Sequence, residues 1–264
     1  MADAPSDQSQ LLELDSVTVR FGGVVAVSEV SFHVDPGEIL AVIGPNGAGK
    51  TTVFNTVTGV YKPSQGSVRF EGKKLAGLKP HHVTKLGMAR TFQNIRLFPN
   101  MTVLENAKVG ADANSRAAVF GAILHTPRQR HEERLAEERA REAIAFVGIE
   151  GDSRREAQAL SYGDQRRLEI ARALATQPKL VLLDEPAAGM NPAEKVELQK
   201  LISRIRDRGV TVVLIEHDMS LVMKISDRII VLDFGKKIAE GLPQEIRDNP
   251  AVVEAYLGAA RDAS

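Results

Sequence analysis

Gly44-Pro45-Asn46-Gly47-Ala48-Gly49-Lys50-Thr51-Thr52 is the stretch that decides the fold. It fits the spacing G-x-x-x-x-G-K-[ST] of a phosphate-binding loop and follows the apolar run Glu38-Ile39-Leu40-Ala41-Val42-Ile43, which reads as a buried parallel strand. Thr51 to Thr58 reads as a helix closed by Gly59, so the glycines occupy a tight strand-to-helix turn. Glycines there let successive N–H groups converge on one point while the helix aims its positive end at the same place, making a nest for a polyanion. Lys50 adds a point charge for β- and γ-phosphates, and Thr51 adds a hydroxyl oxygen that suits Mg²⁺, a hard cation that keeps most of its waters. A plain glycine-rich turn with an exposed lysine would not need this strand and helix on its flanks.

Composition narrows what surrounds the loop. A chain of 264 residues can bury a sizeable core, as one large domain or a core with a satellite. Lys+Arg and Asp+Glu are both 34, so no global field draws the chain to nucleic acid or acidic lipid. The absence of cysteine excludes disulfides, thiolate zinc sites and a cysteine nucleophile. No uncharged apolar run approaches the ~18 residues of a membrane helix. The polar start, Met1 to Gln10, reads as a disordered lead-in and not a signal peptide. The expectation is a cytoplasmic protein whose action at any membrane depends on another chain.

Outward from the loop, Leu12, Leu14, Val17, Val19 and Phe21 alternate as a half-buried strand, and Val24 to Phe32 repeats the pattern beyond Gly22-Gly23. Phe21 lies near that turn, where its ring could cover a purine or simply pack in a core. Lys62 to Gly66 reads as a turn before a strand at Ser67 to Gly72. Gln93 follows Arg90-Thr91-Phe92 and is a candidate neutral ligand to Mg²⁺ that also touches a γ-phosphate. Residues from Asn100 to about Ala159 read as mostly helical, with a capping box at Thr102 and Glu105 and an apolar face of Ala136, Ala140, Ala143, Ile144 and Val147. Glu137 and Arg141 are spaced to pair on the solvated side, and apolar Ala117 to Leu124 is a candidate partner contact.

Leu160-Ser161-Tyr162-Gly163-Asp164-Gln165-Arg166-Arg167 opens another helix, with capping-box spacing between Ser161 and Asp164. Its serine hydroxyl, glycine N–H and helix dipole are also the parts of a phosphate site. Leu180-Val181-Leu182-Leu183 is a second buried strand ending in Asp184-Glu185, which packing alone seldom requires. Asp184 is placed to hold waters of Mg²⁺, and Glu185 to accept a proton from an attacking water. A third apolar strand, Thr211 to Ile215, runs into Glu216-His217-Asp218, where His217 could bond a γ-phosphate. Arg228 to Leu232 and Lys237 to Gly241 form a strand pair, followed by a helix from about Pro243 and a short polar tail.

With these motifs in this order, the sequence resembles the ATP-binding subunits of ABC transporters over almost its whole length. Gln93 stands at the Q-loop position, Leu160 to Gln165 at the signature and His217 at the switch histidine, and Phe21 takes the place of the adenine-stacking aromatic. Within that superfamily, Val19 to Gly23, Arg90 to Phe98, Asp184 to Pro192, Ile215 to Met219 and Asn249 to Gly258 are most similar to the branched-chain amino acid importer ATPases. The resemblance implies an α/β fold: a P-loop NTPase core with a mostly parallel sheet, an N-terminal antiparallel β subdomain and an inserted α-helical subdomain. The core would take residues 11–93 and 165–264, the helical part 94–164, and the hinge Asn94 to Asn100.

The resemblance also implies ATP and Mg²⁺ as ligands. It implies permease chains, a second ABC ATPase and, indirectly, a substrate-binding protein as partners, with no nucleic acid. The chain would then sit on the inner face of the cell membrane through the permease. Two cassettes would sandwich ATP head to tail, the loop of one facing Ser161, Tyr162, Gly163 and Asp164 of the other. Tyr162 replaces the usual first glycine of the signature, Asp164 a frequent glutamine, and Asn191 a frequent aspartate further on. Lipopolysaccharide export and urea or amide import are alternatives for the cargo. A cassette acting without a permease, on ribosomes or DNA, is the alternative of a different class.

Overall fold

The computed structural model of the protein describes residues 10–112 and 127–262. The lead-in before Gln10 and the apolar stretch Ala117 to Leu124 therefore lie outside the described residues. Two sheets organise the chain. The first is antiparallel, in the order β2 (Val24–Val34), β1 (Leu12–Phe21), β4 (Gln65–Phe70), β5 (Lys73–Lys74). The second follows the order β10 (Lys236–Gly241), β9 (Arg228–Asp233), β3 (Ile39–Ile43), β8 (Thr211–Ile215), β7 (Leu180–Asp184), β6 (Met88–Arg90). All its neighbours run parallel except β10, which returns antiparallel along the edge.

The unbroken apolar runs are explained by burial on both faces. In β3, β7 and β8 every residue is buried, and alternate side chains enter different cores. Ile39, Ala41 and Ile43 join a core with the helices α3 (Val103–Asp112), α4 (Pro127–Val147) and α5 (Tyr162–Leu174). Leu40 and Val42 join another core with β1, β2 and the helix α1 (Lys50–Val57). Each of these Ile, Leu and Val side chains contributes about 1.5–3 kcal/mol by leaving water, and Ala41 less. The face shared by Ala136, Ala140, Ala143, Ile144 and Val147 is buried, Arg141 bonds Glu137 across one turn, and Thr102 and Glu105 form a reciprocal cap.

Local irregularities adjust several expectations. The alternation in β1 slips between Leu14 and Val17, because Ser16 adopts φ 48° and the ladder to β2 shifts there. The strand expected from Ser67 begins at Gln65, since Gln65 pairs with Thr18 across β1. The first loop helix starts at Lys50, one residue early. The helix expected from about Pro243 is two: α8 (Pro243–Arg247) and then α9 (Pro250–Asp262), started by the Asn249 side chain accepting from Ala251 N–H at 3.0 Å and by Pro250. Between β7 and β8 runs α6 (Pro192–Asp207), and α7 (Met219–Ile225) follows β8; α2 (Pro80–Lys85) precedes β6.

Candidate active site

The carboxyl ends of β3, β7 and β8 meet in one crevice, where open α/β sheets bind ligands. From β3 comes the phosphate loop. Gly44 has φ 149°, and a Cβ there would stand 2.0 Å from Leu232 O, so the loop lies hard against β9. Gly49 (φ 97°) is similarly pressed on Ala26 O of β2, which brings the β1–β2 hairpin and its Phe21 to the same side as the loop. Phe21 is half-exposed, its ring edge-on to Tyr61 with centroids 5.0 Å apart. The N-terminus of α1 has no side-chain cap and no acid in its first turn, so its N–H groups and its dipole face outward.

Lys50 folds back over this turn and donates to Gly44 O at 2.7 Å and Pro45 O at 2.8 Å. Burial lowers its pKa, against the opposing pull of the Glu185 and Asp184 carboxylates, which places all three groups in one electrostatic neighbourhood. Thr51 is exposed at the mouth, and Thr52 is half-buried behind it.

Glu185, the first residue after β7, has φ 47° and donates its N–H to Ile215 O at 2.9 Å. A side chain in that left-handed region costs about 1–3 kcal/mol and persists only where the surroundings enforce it. The turn carries the carboxylate to Gln93, whose Nε2 donates to Glu185 Oε2 at 2.9 Å, and to His217, whose Nδ1 lies 3.7 Å from the same oxygen. Residues 92 positions apart are thereby joined at one carboxylate. His217 stands two residues beyond the end of β8 and is exposed, so it projects from the loop ahead of α7 and not from the strand.

Asp184 is buried and less available than its sequence suggests, because Arg90 Nη2 donates to its Oδ2 at 2.8 Å. Arg90 also donates to Asn55 Oδ1 at 2.6 Å and stacks near the Phe54 and Phe92 rings. Sequence reasoning quoted Arg90 only as the neighbour of Gln93. A basic residue closing a short buried strand was the signal that it had a buried acid to meet. Glu216 was missed as well. It is fully buried, accepts from Ala187 N–H at 2.8 Å and His217 N–H at 3.2 Å, and has its pKa raised by burial against the pull of those amides. It ties the loop of His217 to the loop that follows Glu185.

Ser161, Gly163 and Asp164 line a separate concavity at the head of α5, shared with Met190 and Glu194, while the half-exposed Tyr162 turns its ring to Gly189 outside that lining. The concavity has no lining residue in common with the cavity of about 820 Å³ that borders Gly44 to Ala48 and His217. Ser161 caps the helix by accepting from Asp164 N–H at 3.2 Å. The reciprocal half of the expected box is replaced by Ser161 Oγ donating to Asp164 Oδ2 at 2.7 Å.

A protein-only metal cage is lacking: among the described residues no three His, Cys, Asp or Glu side chains cluster to hold an ion. A hydroxyl and a carboxylate at the mouth of a phosphate nest fit Mg²⁺, which takes one or two protein oxygens and the rest from phosphates and water.

The model of the family described as "ABC transporter" matches residues 27–188. The chain belongs to the ABC transporter ATP-binding cassette family. A second model, described as "Branched-chain amino acid ATP-binding cassette transporter", matches residues 236–262, which contain β10, α8 and α9. The chain is similar to BraF, a high-affinity branched-chain amino acid transport ATP-binding protein of Pseudomonas aeruginosa, with 47% identity covering 95% of this chain and 98% of the relative. The LivG protein of Escherichia coli K12 gives the same identity and coverage. Among solved structures, the ADP conformation of MJ1267, an ATP-binding cassette of an ABC transporter, superposes with a TM-score of 0.82 at 31% identity, covering 94% of this chain and 99% of that one. A dimeric structure of the cassette MJ0796 bound to ADP and Pi gives a TM-score of 0.72 at 26% identity, covering 88% of this chain and 98% of the other. This ABC cassette is an ATPase by fold and family, and no helix among its described residues is long and apolar enough to cross a membrane.

Proposed function

We propose that this cassette hydrolyses ATP for an importer of branched-chain amino acids, in a head-to-tail pair with a second cassette docked on permease chains. The observation that carries the reading is the split site: the loop from Gly44 to Ala48 and His217, with Glu185 3.7 Å from His217, line or border one cavity, and Ser161 and Gly163 line another that shares no residue with it. Phosphoryl transfer needs charge neutralised on all sides of the γ-phosphate and an aligned water, and one loop covers one side. The cargo is supported by the full-length likeness to LivG and BraF and by the matching C-terminal segment.

In this reading the backbone of Gly44 to Thr52 takes the β- and γ-phosphates, and Phe21 stacks on the base. Lys50 exchanges its bonds to Gly44 O and Pro45 O for phosphate oxygens, which requires little motion because its ammonium already lies in the nest. Glu185 receives the proton of the attacking water, while His217, whose ring is already near that carboxylate, steadies the γ-phosphate. Thr51, Gln93 and Asp184 would hold Mg²⁺, which when bound neutralises charge on the β- and γ-oxygens. For that, Gln93 must leave Glu185 and turn its amide oxygen inward, so that nucleotide and metal compete for a bond the protein now makes to itself. Ser161, Tyr162, Gly163 and Asp164 close over the nucleotide of the partner. Residues 94–164 act as the helical subdomain, and residues 11–93 and 165–264 as the core.

The test is hydrolysis by the membrane complex that copurifies with the chain, reconstituted with its binding protein. Stimulation by leucine, isoleucine or valine supports the cargo; stimulation by urea, an amide or lipopolysaccharide instead would reassign it.

A further inference from the structure

The helix that begins at the signature also grips the loop that carries Gln93. Arg166 is 0% exposed and is the largest of the fully buried side chains among the described residues. Its Nη1 donates to Phe92 O at 2.7 Å and to Glu169 Oε2 at 2.7 Å, and its Nη2 donates to Gln93 O at 2.8 Å. Glu169, 1% exposed, uses Oε1 to accept from Phe92 N–H at 3.3 Å and Arg96 N–H at 3.4 Å. One turn further along the same face, Arg172 donates to Arg96 O. Arg166, Glu169 and Arg172, spaced by three, thus fasten the backbone from Phe92 to Arg96 at five points.

An ion pair so deep is a poor way to stabilise a fold, because desolvating both charges offsets their attraction. Here Arg166 Nε also has no partner. What the pair does supply is a fixed register between α5 and the Gln93 loop. At the head of the same helix, the Tyr162 ring packs on Gly189, where an added Cβ would meet Cε1 at 3.2 Å, and its hydroxyl lies 3.5 Å from Arg166 Nη2. The contacts close a ring: from Glu185 along the chain to Gly189, across to Tyr162, through Arg166 to the Gln93 backbone, and from the Gln93 amide back to Glu185.

We infer that Arg166 and Glu169 are positioning residues that fix the backbone of Gln93 beside Glu185 and leave its side chain free to turn from that carboxylate to the metal, so that a γ-phosphate engaging Ser161 and Gly163 in one site is felt at Gln93 and Glu185 in the other. The direction of that signal rests on the two-cassette reading above; the hold on Gln93 does not. Loss of the pair lets the loop drift while leaving the phosphate nest intact.

The test is a double-mutant cycle on the full-length chain. R166M/E169L replaces the pair with apolar side chains of similar length, and because the Phe92 and Gln93 carbonyls and the Phe92 and Arg96 N–H groups lose these partners, its thermal midpoint is expected to fall by a few degrees while the fold is kept. ATP affinity and KM stay unchanged, while kcat falls roughly 10- to 100-fold, the scale of a misplaced catalytic group. Adding Q93A to that background then costs nothing further, although Q93A alone is damaging. Parental kcat in the paired variant, or an undiminished cost of Q93A within it, overturns the inference. If R166M/E169L does not fold, E169Q replaces it, with a smaller fall in kcat and the same non-additivity with Q93A expected; full additivity overturns it again. S161A in the parent background reads the two-cassette assumption separately, because it leaves the Gln93 cycle untouched.

Discussion

The protein builds two helix N-termini that face nucleotide in the proposed assembly, and it finishes them differently. At α1 the cap is Gly49, with φ 97°, no side-chain cap and no acid in the first turn. At α5 the cap is Ser161, bonded both ways to Asp164, so the positive end already holds a carboxylate of its own. The first terminus is therefore set to receive a polyanion. The second is satisfied from within and must give up a bond before it can take one. In the proposed assembly the difference makes binding and closure separable: the loop side would hold ATP alone, and the signature side would engage only when a partner brings a nucleotide strong enough to displace Asp164.

The largest way to break this contrast lies on the loop side. E185Q is expected to bind ATP as the parent does and to lose a factor of ~10²–10⁴ in turnover, the worth of a general base. Phosphate release beside nucleotide titration checks it, and undiminished turnover would remove Glu185 from the role. K50A should instead weaken binding itself by about 10- to 100-fold, because a charge-assisted bond to phosphate is lost where no other side chain caps the helix. An unchanged affinity would mean that the backbone nest suffices.

On the signature side the effects are smaller and one has the opposite sign. D164N removes the resident negative charge at the head of α5 while keeping a capping side chain, so the KM of ATP in hydrolysis should fall about two- to fivefold. A higher KM would show that the carboxylate helps the incoming phosphate and would reverse the account of that terminus.

The smallest effect concerns the loop that carries His217. Lys195 bonds Asp218 at 2.7 Å and holds its carboxyl well below the usual range. A depressed folded pKa gives stability that is present above the unfolded value, near 3.8, and lost as pH falls through the folded value. D218N keeps the cap of α7 but not the charge, so its melting temperature should trail the parent by at most about 2 °C at pH 7. The gap should close in acid. A gap that does not shrink at all as pH falls from 4 towards 2 would assign the loss to the cap and not to the pair.

The sequence carried the loop side almost entirely, because its signals are local: glycines, a lysine and a threonine between an apolar strand and a helix, then carboxylates and a histidine just past two more such strands. What it did not carry were partners far along the chain. Arg90 meets Asp184 across 94 positions, and Arg166 reaches Phe92 across 74, and no spacing rule links residues so distant. Glu216 was visible only as the neighbour of His217, since a buried carboxylate fed by backbone amides has no side-chain partner to betray it. The break between α8 and α9 was not recognised within the helix expected from about Pro243, although Asn249-Pro250 is a cap followed by a first helical residue.

The central claim is that each ATP site needs the loop of one chain and the signature of another. Mixing two crippled chains, K50A with its signature intact and S161A with its loop intact, tests it directly by phosphate release. The account predicts that each is nearly inactive alone and that the mixture regains hydrolysis with a rate rising as the square of protein concentration. S161A hydrolysing alone at the parental rate, at every concentration, would contradict it.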